Sequence, residues 1–146
     1  MRFPRPLIDS RQLDFSFSGL KTALLYEIQG TSHGRLEPIA LEPSRVADLA
    51  ASYQEAIVDV LAAKCRKAVA ASGRRTLLVG GGVAANRRLR DRLAELAADQ
   101  SIDLVVAPPE LCTDNAAMAA MAWDVLDRRG AASLDLDVSP APIRKC

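Results

Sequence analysis

Three successive glycines, Gly80, Gly81 and Gly82, stand directly after the β-branched and leucine run Thr76–Val79. Such a triplet at the carboxyl end of a buried strand removes every side chain where a ligand would approach the backbone. A helix starting just behind it would turn unpaired amides and a partial positive charge toward the same place, which suits a phosphate or a flat nucleobase. No Gly-Lys-Ser/Thr follows and the spacing is not GxGxxG, so this is neither a Walker loop nor a dinucleotide fingerprint. A tight strand-to-helix turn explains the same residues. Asn86 brings an amide donor and acceptor to the first turn of that helix, or simply caps it. Asp114, between Thr113 and Asn115, is either an N-cap held by the helix dipole or a hard oxygen ligand; one carboxylate alone holds no metal. Cys112 has no neighbouring histidine or cation in sequence to activate its thiol and reads as structural. Arg87, Arg88, Arg90 and Arg92, interleaved with Leu89, Leu93 and Leu96, read as a solvated helix face, with nucleic-acid contact as the alternative.

The elements that must position these residues follow from periodicity. The stretch Asp14, Phe15, Ser16, Phe17, Ser18 alternates with period two and predicts a half-buried strand. Gly19 interrupts it, and a helix is predicted over residues 20–29 with Ser18 as N-cap. A loop with turn residues throughout runs to residue 42. From Pro43 and Ser44 a long helix is predicted to Ser72, closed by Gly73, with Val46, Leu49, Tyr53, Ile57, Val60, Leu61, Cys65 and Ala68 forming one buried stripe. Thr76–Val79 and residues 103–107 read as strands buried on both faces. Helices are predicted over residues 85–98 and 114–129. The alternation of strand and helix gives an α/β chain with right-handed crossovers, both ligand-facing loops lying beyond the carboxyl ends of strands.

Composition narrows the function classes. The 146 residues hold 19 Lys plus Arg against 18 Asp plus Glu, and a net charge of +1 implies no polyelectrolyte partner. With 49% hydrophobic and 25% charged residues the chain is an ordinary globular one rather than a disordered one. Three cysteines without a CxxC spacing exclude a disulfide framework and a zinc knuckle. The single histidine, His33, in the glycine- and serine-rich residues 30–34, leaves no material for a histidine triad or a multi-histidine metal site within the chain. No apolar run has membrane-spanning length, and residues 1–11 hold no apolar signal core.

Three stretches together go further. DFSFSGLKT from Asp14 to Thr22, VGGGVAANR from Val79 to Arg87 and CTDNAAM from Cys112 to Met118, in this order and spacing, resemble the TsaD family of tRNA threonylcarbamoyladenosine transferases, over about residues 13–129. The resemblance implies the actin-like ATPase fold, two related lobes around a nucleotide cleft, with this chain forming most of the C-terminal lobe. The expected organisation is a connecting segment over residues 1–12, the lobe over 13–130 and a flexible tail over 131–146. The implied activity is transfer of threonylcarbamoyl from threonylcarbamoyl-AMP to N6 of adenosine 37 in tRNAs reading codons that begin with A. By the same resemblance Asn86 would contact the adenylate, Gly81 and Gly82 would let the nucleotide lie against the backbone, and Asp114 would be one ligand of a metal, Fe(2+), that grips the threonylcarbamoyl group. The implied partners are tRNA and the proteins TsaB and TsaE, in the cytoplasm.

The departures are as informative. The family's other metal ligands are two histidines of an HxxxH motif in the N-terminal lobe, and this chain contains no such motif. The phosphate loop of that lobe is also absent, and no catalytic residue is assignable. The expectation is therefore a C-terminal fragment, inactive by itself, with an apolar cleft wall exposed and marginal solubility. Two alternatives remain open: the related carbamoyltransferase domain of the HypF type, and a lobe that binds a nucleotide or partner protein without chemistry.

Overall fold

The computed structural model describes residues 1–29 and 40–131; His33 and the tail expected after Ala131 lie outside the described residues. The elements are α1 (Ser18–Gln29), α2 (Pro43–Ser72), β1 (Thr76–Val79), α3 (Arg87–Gln100), β2 (Asp103–Val106) and α4 (Ala116–Arg129), with short 3-10 turns at Gly82–Ala85 and Pro109–Leu111. They fall into two compact units, Met1–Cys112 and Thr113–Cys146.

In the first unit α2 is the central post. Pro43 suits its first turn, where no amide partner is lost, and Gly73 closes it at φ 63° with its N–H on the Val69 carbonyl. Ala56, Val58, Val60, Ala62 and Lys64 are all buried. Alternate residues on a helix stand about 200° apart, so burial is not confined to one stripe, as the periodicity predicts, but wraps the helix. On one side Leu49 and Ala56 pack with Phe3 and Leu20. On another Val58 packs with Leu89 and Leu93 of α3, joined by Leu77, Val79 and Leu104. Val46, expected in the stripe, is half exposed because it precedes both clusters.

Residues 1–12 are strapped to α2. Arg5 places two guanidinium nitrogens on one Asp59 carboxylate oxygen, each at 2.9 Å. The ammonium of Lys64, buried to 1% exposure, donates to the carbonyls of Ser10 and Gln12, and Lys67 donates to Ile8 and Ser10. Carbonyl oxygens of a sharp turn thus solvate a lysine that water no longer reaches.

The sheet consists of β1 and β2, parallel, with Thr76 opposite Asp103 and Val79 opposite Val106. Leu77, Val79 and Leu104 face α3 and α2, whereas Leu78 and Val105 are 73% and 52% exposed. Burial on both faces, expected from the unbroken apolar runs, is therefore corrected to burial on one. The second face is apolar and exposed. The strand predicted over residues 14–18 is likewise absent. That backbone finds no partner for its amides, and a strand requires one. Its extended path still puts Phe15 and Phe17 on one side, stacked at 6.4 Å and 10°. Ser18 is inside the first turn of α1 rather than its cap: the Lys21 N–H donates to the Phe17 carbonyl, and the Ser18 carbonyl accepts from Thr22.

The second unit, described over residues 113–131, is built on α4. Asn115 caps it, Arg128 and Arg129 complement its carboxyl-terminal dipole, and none of its residues is buried. No helix among the described residues is long and apolar enough to cross a membrane.

Candidate functional site

The glycine turn leaves β1 where parallel α/β sheets carry their ligand sites. Gly81 has φ 88° and ψ 170°, a conformation essentially closed to residues with a Cβ. Gly80 and Gly82 are under no such demand. A Cβ on Gly80 would meet Ala107 at 3.9 Å and one on Gly82 the Cys112 carbonyl at 3.9 Å, both ordinary contacts. All three glycines are exposed; backbone conformation requires glycine at Gly81, where nothing lies within 4 Å of a Cβ, and the chain's own packing requires it at neither Gly80 nor Gly82.

The helix behind them starts later than residue 85. Gly82–Ala85 is a 3-10 turn, and α3 begins at Arg87. The side chain of Asn86 is the reason. Its Oδ1 accepts from the Leu89 N–H at 3.0 Å, closing the N-terminus of α3, while its Nδ2 donates to Gln54 Oε1 of α2 at 2.9 Å. The capping alternative is thus realised, and the amide keeps one N–H and one oxygen lone pair for a ligand.

Of the four arginines, Arg87 is the exposed one. Arg88 grips Glu55 with two hydrogen bonds of 2.8 and 2.7 Å. That contact holds the Glu55 carboxyl below its usual range and raises the guanidinium further. Arg92 pairs with Glu95. Arg90 departs furthest from a solvated face. It donates to the Ala84 carbonyl at 2.6 Å, the Ala107 carbonyl at 2.7 Å and Cys112 Sγ at 3.3 Å, bracing the segments that leave both strands. Cys112 is 1% exposed and donates to Ala107; the cation missing from its sequence neighbourhood is supplied by Arg90, and burial rather than the lack of a cation marks the thiol as structural. Burial pushes the other described thiol, Cys65, up.

Beside Asn86 opens an apolar groove of about 650 Å³ between α1, α2 and the start of α3. Phe17 and Lys21 of the first motif and Val83 and Asn86 of the second line it together, with Tyr53 and Gln54 of α2. The fold thus joins two stretches that lie some sixty residues apart in sequence. Gln54 and Glu55 are absent from the sequence expectations. They sit beside the apolar stripe of α2, and no local pattern ties position 54 to position 86. A second cavity of about 330 Å³ lies among Asp59, Arg66 and Lys67, all already engaged in ion pairs or hydrogen bonds.

Asp114 belongs to the second unit. It is exposed, and the cap is its neighbour: Asn115 Oδ1 accepts from Ala117 at 3.0 Å and Met118 at 3.3 Å. The capping alternative for Asp114 is therefore corrected, and its carboxylate takes no hydrogen bond among the described residues. No group of three His, Cys, Asp or Glu side chains among the described residues could hold a metal ion. A three-ligand metal centre does not fit this chain's described residues; Asp114 offers one oxygen donor set.

Residues 1–121 match the family model TsaD, described as tRNA N6-adenosine threonylcarbamoyltransferase. Among similar proteins, the tRNA N6-adenosine threonylcarbamoyltransferase of Rhodopirellula baltica is 44% identical over 94% of this chain and 41% of its own length. That of Trichlorobacter lovleyi is 45% identical over 85% of this chain and 34% of its own. That of Magnetococcus marinus is 51% identical over 82% of this chain and 32% of its own. The chain therefore spans about a third to two fifths of the length of these relatives. With both groove-lining motifs inside the matched residues, the chain belongs to the TsaD family of tRNA N6-adenosine threonylcarbamoyltransferases.

Proposed function

We propose that this chain is the C-terminal part of a tRNA N6-adenosine threonylcarbamoyltransferase, the lobe of an actin-like fold that holds the adenylate of threonylcarbamoyl-AMP. The observation that carries the reading is the open backbone at Gly81 and Gly82 beside a fixed Asn86 amide, within a family match covering residues 1–121. In this reading Gly82, which packing leaves free to be another residue, stays side-chain-free so that the nucleotide lies on the backbone. Asn86 donates and accepts at the ligand with the N–H and lone pair left over from capping. Asp114 supplies one carboxylate toward Fe(2+), and the remaining ligands come from outside this chain. Transfer to N6 of adenosine 37, docking of tRNA, association with TsaB and TsaE, and a cytoplasmic setting belong to the same proposal.

The test is a transplant. Replacing the matching 41% of the Rhodopirellula baltica relative with this chain, the product is given threonylcarbamoyl-AMP and tRNA, and threonylcarbamoyl-adenosine is counted by mass spectrometry of digested tRNA. Modified adenosine from the transplant and none from the 146-residue chain alone is the expected result. Turnover by the chain alone, or an inert but folded transplant, would overturn the proposal.

A further inference from the structure

We infer that Gln54 is a positioning residue: its side-chain carbonyl fixes the orientation in which Asn86 meets an adenylate. The inference rests on the proposed role of Asn86 and goes beyond it, because Gln54 lies on α2 and outside all three motifs.

The chain of constraint starts at a group whose identity is unambiguous. The Leu89 backbone amide can only donate, so the atom of Asn86 it meets at 3.0 Å must be Oδ1. Nδ2 is then the atom facing Gln54, and the Gln54 atom that receives it at 2.9 Å must be the carbonyl Oε1. Two hydrogen bonds from opposite ends hold the amide plane, one from its own helix and one from α2.

The supporting helix is itself held. Glu55, the next residue of α2, is locked to Arg88 by the paired hydrogen bonds, so the α2–α3 spacing at Gln54 and Asn86 is set by a charged bidentate contact. Without an acceptor at position 54, Asn86 still caps α3 through Oδ1. Its Nδ2 would no longer be tied to α2, so the amide plane could tilt about the remaining bond. Capping and ligand binding are therefore separable: loss of the Gln54 acceptor should weaken binding while leaving the helix intact. Glutamate at position 54 keeps an acceptor at the same reach, whereas leucine keeps the bulk and removes it.

The experiment is an AMP titration of the full 146-residue chain, followed by backbone amide shifts of Gly81, Gly82 and Leu89 in nitrogen–proton spectra. The variants are Asn86→Ala, Gln54→Leu, Gln54→Ala and Gln54→Glu, each with a thermal melt. We expect saturable shifts in the parent chain and a loss of about tenfold or more for Asn86→Ala. Gln54→Leu and Gln54→Ala should each weaken AMP by about fivefold, the worth of one net hydrogen bond, with melting temperatures lowered by no more than about 4 °C. Gln54→Glu should stay within about twofold of the parent. If the parent shows no saturable shifts, or Asn86→Ala binds like it, the adenylate role of Asn86 fails and this inference with it. If Asn86→Ala weakens binding but neither Gln54→Leu nor Gln54→Ala does, the inference alone fails. Equal weakening by Gln54→Glu and Gln54→Leu also overturns it, since the acceptor would then not be what matters.

Discussion

Two helices of this chain begin alike and end up differently. Both α3 and α4 open on an asparagine whose side-chain oxygen accepts first-turn amides, Asn86 for α3 and Asn115 for α4. Yet α3 buries Leu89, Leu93, Leu96 and Ala97, while α4 buries nothing. The residues before them differ in the same sense. Each cap is bonded at both ends of its amide, but Asn86 reaches Gln54 on another helix, whereas Asn115 reaches only the Thr113 carbonyl two residues back. A local capping signal is thus enough to start a helix, but only tertiary packing makes the start a fixed platform for chemistry. The glycine turn and Asn86 stand on such a platform within residues 1–112, and Asp114 has none within the described part of its unit.

Substitutions inside each helix should widen that contrast most. Leu93, 1% exposed, anchors α3 against α2, so Leu93→Ala is expected to lower stability by about 2–4 kcal/mol in a urea titration. Leu126 of α4 is 44% exposed, and Leu126→Ala should change stability by about 0.5 kcal/mol or less. Equal losses would erase the distinction between the helices. Next in size is the brace: Arg90→Met takes the guanidinium donor from the Ala84 carbonyl and leaves the Ala107 carbonyl only the weak Cys112 thiol, and should cost about 1–3 kcal/mol. Arg128→Met removes only an exposed pair with Asp124 and should cost about 0.5 kcal/mol at most. The caps come third. Asn86→Ala and Asn115→Ala each remove a cap worth about 1 kcal/mol. The first should lower the melting temperature of the unit, the second only the helical circular dichroism.

The smallest effect is a pH dependence confined to the α2–α3 contact. Arg88 holds the Glu55 carboxyl below the ordinary value of 4.5, chiefly by its hydrogen bonds. A depressed carboxyl pKa adds stability that is fully present above 4.5 and fades as pH falls through the folded value. With both side chains 36% exposed, solvent screening keeps this contribution small. Melts of the parent and Arg88→Met between pH 7 and pH 3 should converge toward the acid end. A constant difference across that range would remove Glu55 as the cause.

How much of this was legible in the sequence depends on whether the signal is local. Pro43, Gly73 and the spacing of apolar residues place α2 to the residue, and the turn glycines bound β1. The failures are contacts between distant positions. Phe15 and Phe17 read as a strand because alternation reports an extended backbone, not the presence of a partner. Arg90 read as solvated because nothing near it announces that the carbonyls of Ala84 and Ala107 converge on its guanidinium. Lys64 sits among apolar residues of α2 and is buried because residues 10–12 fold back over it. At the candidate site, Gly81, Gly82 and Asn86 were visible from type and spacing, and Gln54 was not, since its partner is 32 residues away.

The most direct test of the division between the two regions uses the transplant into the Rhodopirellula baltica relative, carrying either Asn86→Ala or Asp114→Ala. Metal per protein and threonylcarbamoyl-adenosine per tRNA are measured together. The account predicts that both variants lose modification, that Asp114→Ala also loses bound iron, and that Asn86→Ala retains it. Iron and modification both preserved in Asp114→Ala would contradict it.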